Sequence, residues 1–390
     1  MSYTEAEIME YIEEEDAKFI RLAFRDAYGI QKNISIMPSE IHNAFKDGIS
    51  INARAIRGFE SYKEPNLYLK PDPSTMAVLP WRPDTGRVLR MFCDVCTADG
   101  TPYEADTRNL LRVAVKAAQD KGIEFKFGSE MEFYLFKLDD EGAPTREPYD
   151  NAGYLDIAPL DRGENIRREI CLTIEEMGLT PGRSHHERGP GQNEIDFQYG
   201  KPLKAADQIT TFKMVVSTIA DRNGLYADFS PVPLSDKPGN GYHINIFAKD
   251  AEGNDVVKYA AAGIIEKIKE ITLFLNPTES SYTRFGNSTA PNKVNWSRNA
   301  GSELMYIDDS LGKMRAELRS PDAFSNPYIA YTLLIYAGLY GIENKLSLPK
   351  EMDTEGSLLP KTRDEAVQFA SESEFVRSIL PESVINSYIQ

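Results

Sequence analysis

The sequence predicts an α+β protein in two parts, a small domain over residues 1–99 and a large one over residues 100–390. Three observations predict it. Short runs such as Phe19-Ile-Arg-Leu-Ala-Phe-Arg25 alternate with the period of a half-buried strand. Longer runs, 107–121 and 205–223 among them, carry apolar residues at helical spacing. The turn-forming stretch Asp99-Gly-Thr-Pro102 falls between a strand pattern and a helix pattern, where a domain boundary belongs.

In chain order, an acidic amphipathic helix is expected over 5–18 and a strand over 19–25. A turn at Asp26-Ala-Tyr-Gly29 leads to a return strand over 34–37. Pro-Ser opens a short helix over 38–46, with His42 on its polar side as a surface residue. The stretches 70–75 and 80–86 are rich in proline, aspartate and glycine and read as turns. A strand covers 88–96. In the larger part, a helix over 107–121 precedes strands at 125–127 and 131–135. Helices follow over 166–177, closed by Gly178, and 205–223, closed by Gly224. Another runs over 255–275 and ends at Asn276-Pro277. The run 329–344 is apolar enough to face a core, and the polar tail after Pro349 holds a helix near 363–371. No internal repeat or low-complexity tract interrupts this order.

With 390 residues, 41% hydrophobic and 27% charged, the chain has the composition of a globular protein with a sizeable core. A net charge of −16 without a basic patch argues against nucleic acid and against an anionic membrane surface as partners. The first residues lack the basic and apolar regions of a signal peptide. No apolar run approaches the roughly 20 residues that span a bilayer. Cys93, Cys96 and Cys171 are the only cysteines, which suits a reducing compartment and a cytoplasmic protein. Cys93 and Cys96 form a C-x-x-C inside a strand pattern, so they read as small core residues; no second pair completes a zinc site.

The chemistry lies in scattered acids with metal-ligand spacing. Glu130 and Glu132, in Gly128-Ser-Glu-Met-Glu-Phe-Tyr-Leu-Phe136, share one strand face, with Met131 and Phe133 on the other. Two carboxylates so placed repel unless a cation lies between them; the alternative is an exposed strand face. Glu187 and Glu194, in His185-His-Glu-Arg-Gly-Pro-Gly-Gln-Asn-Glu-Ile195, flank a tight turn that brings the ends of the segment together. One of the two adjacent histidines could ligate and the other orient; the alternative is a polar loop. His243 opens a strand after Gly239-Asn-Gly, whose glycines let backbone amides approach a ligand. Arg315, Glu317 and Arg319 alternate on one strand face, as an ion-pair ladder or as a metal-holding glutamate between two anion-gripping arginines. Arg284, after a helix stop, is a second candidate carboxylate clamp. Hard carboxylates with an occasional imidazole suit Mg²⁺ or Mn²⁺.

In this order the segments resemble the glutamine synthetase family over nearly the whole chain. The residues 128–136 resemble its first metal-ligand strand, and 185–195 its His-His-Glu…Gly-Gln-x-Glu segment. Gly239–His243 is similar to its Gly-x-Gly-x-His loop, and Asn276-Pro-Thr-Glu-Ser-Ser-Tyr-Thr-Arg284 to its Asn-Pro-Thr-x-Asn-Ser-Tyr-x-Arg segment. Arg315-Ala-Glu-Leu-Arg-Ser-Pro-Asp322 resembles its Arg-x-Glu-x-Arg-x-Pro-Asp strand, and Asn326-Pro-Tyr328 and Ala337-Gly-Leu-Tyr-Gly-Ile-Glu343 continue it. The resemblance implies a small N-terminal β-grasp-like domain and a large catalytic α/β domain with an antiparallel-rich sheet. It implies two or three Mg²⁺ or Mn²⁺ ions, one on Glu132, Glu187 and Glu194 and another on Glu130, His243 and Glu317. Arg284 and Arg319, with Gly239, would bind the carboxylate of a glutamate-like acid, and Arg284, Arg315 and Arg319 would act in catalysis. ATP would be co-substrate, turning the side-chain carboxylate into an acyl phosphate that an amine attacks. The active sites would lie between subunits of a ring.

The departures point away from ammonia. The family's Asp-Gly-Ser-Ser latch stands here as Asn52-Ala-Arg-Ala55, and the flap glutamate before Ala-Pro is Thr289. On the nucleotide side, two family arginines become Ala300 and Met305, with Arg298 displaced. The second histidine of the Gly-x-Gly-x-His-x-His loop is Asn245, the position two further on is Phe247, and Pro238 precedes the loop. The expected function is therefore ATP-dependent ligation of glutamate, or a related acid, to an amine other than ammonia. The alternatives are glutamine synthesis itself, ATP-independent hydrolysis of a γ-glutamyl amide, and a non-catalytic binding relative. Because the chain stops at Tyr388-Ile-Gln390, before the helix that locks two family rings together, a single hexameric ring is expected.

Overall fold

Two β-sheets organise the chain; the computed structural model describes residues 3–83, 85–310, 314–352 and 356–390. Residues 1 and 2 of the N-terminal reading, residue 84 of the expected 80–86 turn and residues 353–355 of the polar tail lie outside the described residues.

The N-terminal sheet is mixed. Helix α1 (Glu5–Glu14) starts at a capping box, in which Thr4 Oγ1 accepts from the Glu7 N–H at 3.3 Å and the Thr4 N–H donates to Glu7 Oε2 at 2.7 Å. The helix expected over 5–18 ends at Glu14, because residues 17 and 18 are drawn into β1 (Ala17–Arg25). Strand β2 (Gln31–Ile36), helix α2 (Ile41–Lys46), and strands β3 (Ile49–Asn52), β4 (Asn66–Pro71), β5 (Ala77–Val78) and β6 (Arg87–Cys96) follow. The order is β2-β1-β6-β4-β3, with β5 also on β6; only β1 and β6 run parallel. Ile20, Leu22 and Phe24 enter the core from one face of β1, and Arg21, Ala23 and Arg25 occupy the other. Strand β4 was not expected, since its prolyl end reads as a turn; Leu67, Leu69 and Pro71 alternate inward along it. His42 is exposed, and Cys93 and Cys96 are buried free thiols, as expected.

The larger part contains α3 (Thr107–Asp120), β7 (Glu124–Leu138), β8 (Pro144–Pro148), α4 (Glu164–Glu176), β9 (Pro181–His186), β10 (Gln192–Gly200) and α5 (Pro202–Arg222). It continues with β11 (Leu225–Asp228), β12 (Tyr242–Lys249), α6 (Val257–Leu275), α7 (Glu279–Arg284), β13 (Trp296–Ser297), β14 (Met305–Asp308) and β15 (Arg315–Leu318). Helices α8 (Pro327–Glu343), α9 (Arg363–Glu372), α10 (Glu374–Ile379) and α11 (Glu382–Ile389) end it. The sheet order is β13-β14-β15-β12-β7-β10-β9, with β8 and β11 also on β7, and every pairing but β13–β14 is antiparallel.

The two strands expected at 125–127 and 131–135 are one continuous central strand, β7. Its odd-numbered side chains Phe127, Met131, Phe133 and Leu135 are fully buried on the helix side. There Tyr331 of α8 stacks on Phe127 with ring centroids 4.2 Å apart and its hydroxyl meets Ser129 Oγ at 2.9 Å. The helix layer is itself close-packed. A Cβ at Gly263 of α6 would lie 2.1 Å from the Ala337 carbonyl of α8, so glycine there lets the two backbones touch. With one face sealed, the even-numbered side chains of β7 are left for the other, and these include Glu130 and Glu132. No helix among the described residues is long and apolar enough to cross a membrane.

Candidate metal centre and active site

Strand register sets the acids in a row across the open face. Glu130 pairs with His243 of β12 on one side and with Asp196 of β10 on the other. Glu132 pairs with Glu194, Glu194 with His185 of β9, and Asn245 of β12 with Glu317 of β15. Adjacent strands lie about 4.8 Å apart, so donors at paired positions are within reach of a shared ion. The turn after β9 adds Glu187 from above.

Three groups of donors result. One, Glu130, Glu194 and Asp196, already has Arg183 Nε 2.7 Å from Asp196 Oδ2; the other two each include a histidine. Glu130, His243 and Glu317 bring ligand atoms within 4.8 Å of one another, with His243 Nδ1 3.3 Å from Glu130 Oε2 and 3.5 Å from Glu317 Oε1. Glu187 and Glu194 converge as expected, and His185 joins them, its ring nitrogens 3.9 Å and 3.6 Å from their carboxylates. Glu132 stands beside this last group, accepting from the Gly241 N–H at 2.7 Å and from Gln192 Nε2 at 3.2 Å. The two histidines thus divide their roles. His185 faces the acids, while the fully buried His186 holds Asp150 Oδ1 at 2.9 Å. Asp150, Asp161 and His186 also lie close together, but Arg167 already neutralises Asp161.

The electrostatics are those of crowded anions. Burial, reinforced by the negative charge of Glu132, pushes the Glu187 carboxyl up to about 7. Glu194 is lifted well above the usual carboxylate range by burial and by Glu132 and Glu130. Burial and the nearby Glu130 raise Glu317 as well. Glu130 goes the other way: burial works to raise it, but His243, Asn245 and Arg315 outweigh that and bring it down to about 2. Clustered carboxylates that must take up protons are the donor set a divalent cation relieves, and oxygen donors with a single imidazole, as in two of the groups, fit Mg²⁺ or Mn²⁺.

The arginines frame this row. Arg315 donates to Asn245 Oδ1 at 2.8 Å and sits 3.5 Å from Glu130 and 3.6 Å from Glu317. Arg319 donates to Glu317 Oε1 at 2.5 Å and lies 3.9 Å from Glu303. Arg284, expected as a carboxylate clamp, spends donors on the backbone: Nη1 reaches the Ser320 carbonyl at 2.9 Å and Nη2 the Arg319 carbonyl at 3.1 Å. It still borders a small cleft with Glu132, Glu187, Gly239, His243 and Thr289. Glycine is required at and beside that cleft. A Cβ at Gly241 would lie 2.7 Å from His243 Nε2 and 2.8 Å from Arg284 Nη2, and one at Gly239 would lie 2.3 Å from the Pro231 carbonyl.

Three neighbours of the acids were not singled out as site residues in sequence. His185 was one of an undivided pair, Gln192 shares a strand face with Glu194, and Asn245 was noticed only as a replaced histidine. Asn245 in fact bridges the arginine and the acid, donating to Glu130 Oε1 at 3.0 Å. Counting residues in steps of two from Glu194 and His243 picks out Gln192 and Asn245.

A grasp-like sheet followed by a larger sheet with a carboxylate row on its open face is an arrangement that could hold hard divalent cations. The comparisons place the chain in a family. Its residues 16–98 match the family model for the glutamine synthetase beta-Grasp domain, and residues 104–390 match that for the glutamine synthetase catalytic domain. It is 38% identical to glutamine synthetase of Methanosarcina mazei, covering 99% of this chain and 92% of that protein. It is 37% identical to glutamine synthetase of Clostridium saccharobutylicum, with 99% and 94% covered. Among solved structures, a GmaS/ADP complex superposes with a TM-score of 0.88 at 25% identity, covering 98% of this chain and 93% of that one. The chain belongs to the glutamine synthetase family and is a C–N bond-forming ligase.

Proposed function

We propose that this ligase joins the γ-carboxylate of glutamate, or of a related acid, to an amine other than ammonia, at the expense of ATP. The observation that carries the reading is Thr289, which borders the cleft beside Glu132, Glu187 and Arg284 where the family has a glutamate. A neutral hydroxyl neither holds an ammonium ion by charge nor takes its proton. Asn52, at the position of the latch aspartate, is neutral too; its Oδ1 accepts from the Arg54 N–H at 3.1 Å.

In this reading Glu132, Glu187 and Glu194 hold one Mg²⁺ or Mn²⁺, with His185 beside them, and Glu130, His243 and Glu317 hold a second. The ions supply charge neutralisation for the transferring phosphoryl group. The protein supplies position. Arg315 and Asn245 fix Glu130, and Arg319 fixes Glu317. Arg284, pinning the backbone at 319–321, and Gly239 form the wall against which the acid substrate sits. An oxygen of the acid attacks the γ-phosphorus of ATP and ADP leaves; the amine nitrogen then attacks the acyl carbon, releasing inorganic phosphate and a proton. The ADP in the similar GmaS structure supports a nucleotide here. The reading takes residues 1–99 as the β-grasp domain, residues 100–390 as the catalytic domain, and a cytoplasmic, ring-shaped hexamer as the assembly.

The test is ADP release with Mg²⁺, glutamate and a panel of amines that includes ammonium. Faster turnover with an organic amine is expected; turnover with ammonium alone makes the protein a glutamine synthetase proper. A second reading, ATP-independent cleavage of a γ-glutamyl amide, is favoured by Ala300 and Met305 where the family has arginines. Amide cleavage with no nucleotide-induced thermal shift would select it.

A further inference from the structure

Away from the acids, the chain encloses a cavity of about 820 Å³ between the N-terminal sheet, α5, the 277–278 segment before α7 and the C-terminal residues. In a protein of net charge −16, its lining is cationic: Arg21, Arg25, Arg57, Arg90, Lys213 and Arg363, with no aspartate or glutamate among the described residues that line it. The arginines arise from strand geometry. Arg21 and Arg25 lie on the face of β1 opposite the core residues, and Arg90 of β6 is in register with Arg21.

Two of these cations are buried without adequate partners. Arg25 is 8% exposed; its guanidinium makes no hydrogen bond or ion pair among the described residues and its Nε has no acceptor, although Asp26 and Asp207 lie near enough to favour its charge. Arg90 is 3% exposed; Nη2 donates to Thr211 Oγ1 at 3.0 Å and the guanidinium rests 4.0 Å over the Phe92 ring, but Nε and Nη1 have no acceptor. The nearby Asp207 is already committed, to Arg108 through both oxygens at 3.1 Å and 3.0 Å and to the Tyr328 hydroxyl. Lys213 donates to the Ala323 carbonyl at 2.5 Å. Burial, with Arg25 nearby, drives Lys213 down to about 7 against the pull of Asp322, and burial drives Arg90 down to about 10 against the pull of Asp207, so the aspartates present do not offset the cost of burying these cations. Buried charges left unpaired are costly, and native proteins seldom keep them without a counter-charge.

We propose that this cavity is a binding site for a small organic polyanion bearing phosphate or carboxylate groups, gripped by Arg25 and Arg90 with Lys213 as the third cation. The guanidiniums offer the charge-assisted, forked donors that both groups accept. Tyr28, Ile30, Met214 and Phe324 give the rest of the ligand an apolar wall. The site is separate from the metal row, and its ligand contacts no residue assigned to the reaction.

The experiment uses the full-length protein stripped of divalent ions by EDTA and then desalted, since EDTA is itself a polycarboxylate. Thermal unfolding and calorimetry are followed against pyrophosphate, inorganic phosphate and citrate, each at matched ionic strength with chloride as the reference. Saturable stabilisation by at least one probe is expected, and the phosphate and carboxylate arms decide which chemistry the site prefers. Arg25→Met should weaken binding of that probe by about tenfold or more. It should also raise the melting temperature of the ligand-free protein, because an unpaired buried charge is removed. Arg90→Met serves as the second variant, with the same loss of binding. The proposal is overturned if no probe gives saturable stabilisation beyond chloride, or if both variants bind the probes as the parent does. An Arg25→Met protein that folds but melts below the parent without ligand would overturn it too, since Arg25 would then be serving an internal partner.

Discussion

Replacing Glu187 by glutamine should stabilise the metal-free protein while weakening its hold on a divalent cation. Burial and the charge of Glu132 lift the Glu187 carboxyl from 4.5 to about 7. The folded state therefore keeps a proton that the unfolded chain gives up. A group with a raised folded pKa contributes stability that is fully present below its unfolded value and lost as pH rises through its folded one. The loss here runs from pH 4.5 to about 7, and that interval corresponds to about 3 kcal/mol once the carboxyl is fully ionised. Glutamine has no such proton to lose. Variant and parent should match near the bottom of this range and differ by up to about 3 kcal/mol in mildly alkaline buffer, the variant being more stable. Comparing the two cancels the other titrating groups. Mn²⁺ binds the ionised carboxylate, so its stabilisation of the parent should grow with pH across the same window and be smaller in the variant. Urea unfolding followed by the fluorescence of Trp81 and Trp296, in EDTA and in Mn²⁺, measures all of this. A variant less stable than the parent in alkaline EDTA would refute the picture of Glu187 as a crowded anion awaiting a cation.

Other substitutions separate positioning from packing. Asn245→Ala removes the bridge between Arg315 and Glu130 and should lower Mn²⁺ affinity about 10- to 100-fold, read by calorimetry, with little change in melting temperature. Gly241→Ala drives a methyl group against His243 and Arg284, and should cut turnover about a hundredfold in an otherwise folded protein; circular dichroism checks the fold. Phe212→Ala empties a site whose ring meets Phe197 and Phe133 with centroids 4.6 Å and 6.2 Å away, and should cost about 3–5 kcal/mol in urea unfolding.

The row of acids was legible because its signal is local and repeated. Glu130 and Glu132 declare a strand face by alternation with Met131 and Phe133, and β7 bears this out, with the two apolar residues fully buried. His243 and Glu317 join them because β12 and β15 pair outward from β7, which segment order suggested but no single segment encodes. The boundary errors have equally local causes. Residues 17 and 18 continue an acidic helical pattern, yet the sheet takes them, because pairing along β6 outweighs one more helical turn. Residues 70 and 71 fall in the expected 70–75 turn and no element is expected over 66–69, yet 66–71 pair with both β3 and β6, and the register puts Leu67 and Leu69 inside.

Roles were harder to read than positions, because a role depends on what a side chain meets. Arg284 is expected as a carboxylate clamp; the structure adds that it also donates to the carbonyls at 319–321, which nothing in the sequence reveals. The histidine pair could not be divided without knowing that Asp150 lies behind one of them. The cationic cavity escaped notice for the same reason. Arg21, Arg25 and Arg90 are spread over two strands far apart in sequence, and in a chain of net charge −16 each reads as a solvated charge. Only the parallel pairing of β1 and β6 sets Arg21 against Arg90, and only α5 packing over that face buries Arg25 and Arg90 together with Lys213. Like charges therefore collect in two places, anions on the open face of one sheet and cations beneath the other. In each, the energetic cost of crowding is the reason to expect a counter-ion.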